Sequence, residues 1–192
     1  TARIAKHLAE RFGGEFILTG RTPLTLENAA KLDLRAERAR IKAELKASGE
    51  RVTPTMIAKV LKPFEAQKEI AETLASLKAL GAEASYLAFD VCDDLATARH
   101  LGGLSGIDVC IHGAGLEDSH LLAQKSPQVF ERVLTVKVDG AHNLLSALGK
   151  DLGLFVAFTS VSGRFGNAGQ VDYAAANDAL ARLCGALNGE AQ

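Results

Sequence analysis

Four side chains stand where carbonyl chemistry could be done: Lys137, Ser160, Tyr173 and Asn177. Ser160 follows the apolar run Leu154-Phe155-Val156-Ala157-Phe158, so it lies at the carboxyl end of a buried strand, where open α/β sheets place their ligand crevice. Tyr173 opens a helix soon afterwards, and Asn177 comes four residues on, one turn along the same face. A hydroxyl, a phenol and an amide can therefore converge over one crevice. Hydride addition to a carbonyl leaves negative charge on oxygen, which calls for a proton donor and a second hydrogen-bond donor. A phenol, with a pKa of about 10, needs a neighbouring cation to give up its proton readily. Lys137 interrupts a stripe of Phe130, Val133, Leu134, Ala141, Leu144, Leu145 and Leu148, the inward face of a helix over 127–149. Taken alone, it reads as a lysine whose stem packs while its ammonium escapes to water. Beside the other three, it reads as the cation that a reactive phenol requires.

A second group of residues suits a dinucleotide. Thr19-Gly20-Arg21-Thr22 follows an early strand, at the position that reads the adenosine ribose. An arginine there favours a 2′-phosphate, hence NADPH. Phe89-Asp90-Val91 ends the next strand and offers a carboxylate near the adenine, and His112-Gly113-Ala114-Gly115 ends the one after, with glycines that admit a close cofactor. Each mark has a plainer reading: Arg21 as a surface cation, Asp90 as a turn or cap residue. Their order on consecutive strand ends is what joins them.

The elements needed to position these groups alternate between strand and helix, the signature of a parallel sheet wrapped by crossover helices. Ile4, Leu8 and Phe12 recur at helical spacing, so residues 1–12 read as an amphipathic helix closed by Gly13-Gly14. Strands follow over 16–20, 85–89, 109–111 and 154–158, with helices over 94–101, 127–149 and 171–187. The stretch from Thr22 to Leu80 is far longer than a crossover needs. Within it, residues 31–63 read as a helical insertion, either a solvated decoration or a docking face, and Pro63 is expected to break or kink its second helix.

The 192 residues, 47% hydrophobic and 23% charged, suffice for the core of one α/β domain. Twenty-two basic against 23 acidic side chains leave a net charge of −1 and no basic footprint for nucleic acid. No apolar run approaches the ~20 residues that span a bilayer, and the charged Thr1–His7 stretch lacks the apolar segment of a signal peptide. Three scattered cysteines, Cys92, Cys110 and Cys184, argue against a metal cluster and for reduced thiols in a cytoplasmic protein.

With Gly20-Arg21-Thr22-Pro23, the His112-to-Gly115 turn, Lys137-Val138-Asp139-Gly140 and the block from Ser160 to Asn177, the chain resembles the short-chain dehydrogenase/reductase superfamily. It is most similar to ketoreductase domains of modular polyketide and polyunsaturated-fatty-acid synthases. Free-standing members of that superfamily usually carry Asn where Lys137 stands and Lys where Asn177 stands. The swap here resembles the synthase domains. The resemblance implies a Rossmann-like doubly wound parallel sheet and NADPH-dependent reduction of a β-ketoacyl group on an acyl carrier protein, beside neighbouring synthase domains. It makes Tyr173 the proton donor, Ser160 the residue that holds the carbonyl, Lys137 the group that lowers the tyrosine pKa, and Asn177 a support. Ser162 becomes a second hydroxyl. Leu116-Glu117-Asp118 resembles the Leu-Asp-Asp signature of domains that form the 3R alcohol, and Phe165 stands where the opposite class carries tryptophan. A free-standing reductase of small ketones and a catalytically silent docking module are the competing expectations.

The first strand and glycine-rich turn of such a fold are not found before Thr1, nor is the expected C-terminal part present after the Tyr173 helix. Residues 1–192 are accordingly expected to be a partial ketoreductase domain from a longer polypeptide, binding NADPH poorly by itself.

Overall fold

The computed structural model describes residues 1–49, 52–149 and 151–189, apart from the side chains of 188 and 189; positions 50 and 51 of the expected insertion lie outside the described residues. The chain divides into two compact units, Thr1–Phe89 and Asp90–Gln192.

In the first unit, α1 (Ala2–Phe12) leads into β1 (Glu15–Gly20), and α2 (Leu34–Ala47) and α3 (Pro54–Ala79) precede β2 (Glu83–Ala88). The two strands pair in parallel from Glu15 opposite Glu83 to Gly20 opposite Ala88. Helix α1 is amphipathic, but its buried side is Ala5 and Ala9; Ile4 and Phe12 remain 40% and 72% exposed. Two alanines one turn apart let α1 lie close to Leu77 of α3 and to Ala82, with Phe16, Leu18 and Ala84 packed around them. The larger residues do not fit so close an approach.

The expected insertion has a core of its own. Ile41 of α2 meets Ile57 and Leu61 of α3, and Leu34, Leu45, Val52 and Phe64 close around them. Both helices start on side-chain caps: the Asp33 carboxylate accepts from the amides of Arg35 and Ala36, and the Thr53 hydroxyl accepts from Met56 N ahead of Pro54. Pro63 does not end α3, which continues to Ala79. Pro63 and Lys59 are both exposed, so water can reach the Lys59 carbonyl that loses its helical partner. Farther along α3, the buried Gln67 accepts from Thr25 N at 2.9 Å and Leu26 N at 3.0 Å. Lys68 Nζ donates to the carbonyls of Ala30 and Leu32. One helix thus carries the α2 hairpin at its start and fixes the loop after β1 at its middle.

In the second unit, α4 (Asp94–Leu101), β3 (Val109–His112), α5 (Pro127–Leu148), β4 (Leu154–Ala157), a one-turn α6 (Val161–Phe165) and α7 (Val171–Gly189) follow in order. β3 and β4 pair in parallel from Val109 opposite Leu154 to His112 opposite Ala157. Helix α5 packs against α4 and α7, and its buried face is Val133, Val136, Lys137, Gly140, Ala141 and Leu144. Lys137 does lie within the apolar stripe. The parallel α/β alternation expected from the sequence is present in both units.

Candidate active site

The site is built on the carboxyl ends of β3 and β4. Phe158 N bonds to His112 O at 3.0 Å, extending the ladder one step past β4. Lys137 reaches this point from α5 and donates from Nζ to the Phe158 carbonyl at 2.6 Å. Only 4% of the residue is exposed, and burial holds its ammonium below the usual lysine pKa of 10.5. Two features fix it there. The stem runs beside Gly115, where a Cβ would stand 3.0 Å from Lys137 Cε. At its backbone, the Lys137 carbonyl meets His112 Nε2 at 3.1 Å. Gly140 lets this part of α5 settle on Val91 and His112, since a Cβ would come within 3.0 Å of Val91 Cγ2.

Ser160, two residues beyond Phe158, caps α6. Its hydroxyl accepts from Ser162 N at 3.3 Å and from Ser162 Oγ at 2.9 Å. A hydroxyl that accepts twice keeps its own proton free to donate. Gly163 brings α6 onto α7: a Cβ there would stand 2.9 Å from Asp178 N and 3.0 Å from Asn177 Cβ. The contact places Ser160 and Ser162 beside the helix that carries Tyr173 and Asn177.

Tyr173 is half-buried, and its hydroxyl meets no hydrogen-bond partner among the described residues. Asn177 is buried; its Nδ2 donates to Tyr173 O at 2.7 Å, while Oδ1 is left without a partner. An orphaned buried acceptor suits a bound donor such as water or a ligand hydroxyl. The structure therefore gathers the four residues in one unit but bonds none of their reactive groups to one another. Lys137 holds a backbone carbonyl, Ser160 holds Ser162, and Asn177 holds the tyrosine backbone.

Other expected site residues fall into two groups. Arg21, just past β1, is exposed with no ion pair among the described residues, and Gly113 and Gly115 are exposed backbone. Gly20 lies against a side chain: a Cβ there would stand 2.8 Å from Tyr86 Oη, which donates to Thr22 O. Asp90 serves its turn by accepting from Cys92 N at 3.1 Å. The Val91 side chain is buried, and its carbonyl accepts from Asn143 Nδ2 at 2.9 Å. The His112 imidazole is 2% exposed, and desolvation pulls its pKa below 6.5. It supports α5 with its ring, which is turned away from the surface, while Gly113 and Gly115 of the same turn are exposed. Ala114 is half-buried within that turn.

The 117–120 segment lies against the loop before α7. Glu117 Oε1 accepts from Ser119 Oγ at 2.8 Å and from Gln170 Nε2 at 2.5 Å, and His120 N bonds to Gly169 O. Asp118 pairs with His120 at 2.6 Å. Phe165 is 84% exposed at the end of α6. Sequence reasoning missed Tyr86, Asn143, Gly163, Lys125 and Asp172. Only Asp172, an acid directly before the tyrosine, carried a visible signal.

The family model of the KR domain matches residues 1–191. The chain belongs to the KR domain family. A polyunsaturated fatty acid synthase polypeptide from Thraustochytrium sp. is 35% identical to this KR chain over 189 residues, covering 89% of the chain and 7% of the relative. Polyketide synthase GfsA from Streptomyces halstedii is 41% identical over 119 residues, covering 57% of the chain and 2% of the relative. Among solved structures, a ketoreductase domain from the bacillaene assembly line matches 98% of this chain and 37% of its own, with 28% identity and a TM-score of 0.67. An N-terminal ketoreductase from the macrolactin assembly line gives a TM-score of 0.64 at 27% identity, over 92% of this chain and 29% of its own. The fold is thus the Rossmann-like α/β fold of ketoreductases, and the chain spans a small fraction of the synthases it resembles.

Proposed function

We propose that this chain reduces the 3-oxo group of a β-ketoacyl thioester, carried on an acyl carrier protein, to the 3R-hydroxyacyl product with NADPH, in the cytoplasm and beside other synthase domains. The observation that carries the reading is Lys137: a lysine buried in the apolar face of α5, bonded at 2.6 Å to the carbonyl two residues before Ser160. An apolar side chain would fill the same stripe and lose only the bond to the Phe158 carbonyl. Carbonyl reduction calls for the ammonium.

The residues present suit a nicotinamide dinucleotide. Arg21 is an exposed cation just past β1, fit for a 2′-phosphate, and Gly20 precedes it. In the second unit, the glycine backbone of 113–115 is open to close approach, and Asp90 and Val91 are the residues that the family resemblance sets near the adenine. When bound, the cofactor supplies the hydride. Ser160, its acceptor sites filled by Ser162, donates its proton to the ketone oxygen and holds it. Tyr173, with a free hydroxyl, gives that oxygen its proton. Lys137 contributes positive charge to the site from its place beside the Phe158 carbonyl, and Asn177 holds the first turn of α7 through Tyr173 O. Asp118 and Phe165 flank the substrate, on which the 3R assignment rests.

Tyr173→Phe in the full-length protein tests the chemistry. NADPH oxidation with a β-ketoacyl thioester should fall by about 10²–10⁴-fold, with binding of NADPH retained. An unchanged rate would overturn the role of Tyr173. For the cofactor, Arg21→Ala should raise KM for NADPH while leaving NADH use unaltered; an equal effect on both would overturn the 2′-phosphate assignment.

A further inference from the structure

A buried ion pair lies immediately behind the tyrosine. Lys125 Nζ stands 2.9 Å from Asp172 Oδ2, with side chains only 1% and 0% exposed. Removing two charges from water costs several kcal/mol per ion, so such a pair persists only where further hydrogen bonds support it. Here both partners have them. Asp172 Oδ1 accepts from Tyr173 N at 2.8 Å, and Lys125 Nζ also donates to the Asp118 carbonyl.

The pair consequently ties together three pieces of chain: the turn before α5, the backbone of Asp118, and the amide of Tyr173. Other links among the described residues between the 117–120 segment and the loop before α7 run through Glu117, Ser119 and Gln170, which sit nearer the surface, and through His120 N to Gly169 O. Exposed polar contacts of this kind add little rigidity. A buried charge has no alternative partner in water, so Lys125 and Asp172 hold one another in a single arrangement. Asp172 also places negative charge in the first turn of α7, where the helix dipole favours it.

We propose that Lys125 and Asp172 are positioning residues that lock the 117–120 wall to the first turn of α7, so that the Tyr173 hydroxyl meets the ketone from one direction. The inference rests on the reductase reading above. Neither residue touches the reacting atoms. Their effect is on where Tyr173 and the wall beside it stand, hence on kcat and on the ratio of 3-hydroxy enantiomers formed.

The test uses Lys125→Met, Asp172→Asn and the conservative Lys125→Arg in the full-length protein, with rates normalised to the NADPH-binding sites titrated in each preparation. The two disruptive variants should lose about tenfold or more in kcat per site, since misplacement of a catalytic group by an ångström is costly, with KM little changed. They should also erode the enantiomer ratio, and Lys125→Arg should restore most of both. A pair that only aids folding would lower the yield of sites and leave both readouts at wild-type values; that result overturns the proposal. Should the single variants fail to fold, Lys125→Met/Asp172→Leu removes both charges together, which cores tolerate, and must show the same two losses. Wild-type values in that double variant overturn the proposal. A wild-type protein inactive on β-ketoacyl thioesters would instead sink the reductase reading. The lock is then read by hydrogen exchange: the amides of 117–124 and of Tyr173 should exchange about tenfold faster or more in the double variant, and unchanged protection overturns it.

Discussion

Gly163→Ala isolates the contact that seats α6 on α7. A Cβ at Gly163 would stand 2.9 Å from Asp178 N, 3.0 Å from Asn177 Cβ and 3.1 Å from Asn177 C. Comfortable carbon contacts lie near 3.5–4.0 Å, so the two helices must part by roughly half an ångström or more. The obstructing atoms are chiefly backbone of α7 and cannot swing aside. Overpacking of this kind costs about 1–3 kcal/mol. Against it stands the gain of about 0.5–1 kcal/mol when alanine replaces glycine in a helix. Gly185 supplies the control, because it lies in α7 with nothing within 4 Å of its would-be Cβ. Gly185→Ala should therefore stabilise, and the gap between the two variants is the packing cost itself, about 1–3 kcal/mol. Urea unfolding followed by far-UV circular dichroism measures it as a difference in midpoint at constant slope. If Gly163→Ala raised the midpoint as far as Gly185→Ala, α6 would not sit on α7 as described. Because Ser160 opens α6, the same substitution should lower kcat more than it raises KM.

Three further outcomes are expected. Burial holds the His112 pKa below 6.5, so near that pH the unfolded chain binds the extra proton. Its share of stability is therefore complete above about pH 7 and is lost as pH falls through 6.5 toward the depressed native value; His112→Gln, which can still donate to Lys137 O, should flatten that slope relative to wild type, and an unaltered pH–stability curve would refute the burial argument. Cys110, whose thiol is pushed up to about 11 by burial, should react with iodoacetamide about 100-fold more slowly than a free thiol at pH 8, and at the free-thiol rate once unfolded; rapid native labelling would contradict this. Gln67→Leu removes the acceptor shared by Thr25 N and Leu26 N, costing about 1–3 kcal/mol and speeding exchange at those two amides; protection equal to wild type would show that the loop is held by something else.

The strand and helix alternation was legible because each element is a local pattern. Strands β1 to β4 are short runs rich in apolar residues, and the helices over 94–101 and 127–149 carry their own stops. Lys137 was legible as well, since a charge inside an apolar stripe is a local contradiction. The structure departs from the sequence reading where partners are distant. The inward side of α1 depends on how near α3 approaches, and that favours Ala5 and Ala9 over the larger residues that set the period. Gln67 looks like any helical glutamine until Thr25 and Leu26, more than forty residues away, turn out to need an acceptor. His112 and Gly20 stand at ligand-like strand ends, yet their side-chain surroundings are filled by Lys137 O and Tyr86. Asp172 and Lys125 are separated by 47 positions, and no spacing rule joins them.

The unbroken course of α3 bears on any attempt to trim this chain to a minimal KR domain. Residues 31–63 look like a removable block, but cutting there severs a helix at mid-length. Such an excision would strip Phe64 of the cover that Ile41, Ile57 and Leu61 provide, and would take away the Leu32 carbonyl that anchors Lys68. The remaining half of α3 would begin with a bare, uncapped turn just ahead of Gln67, the residue that fixes the loop carrying Thr25 and Leu26. A shortened protein would therefore need a new cap and a new apolar lid. In engineering terms residues 31–63 are spliced into the scaffold rather than hung from it.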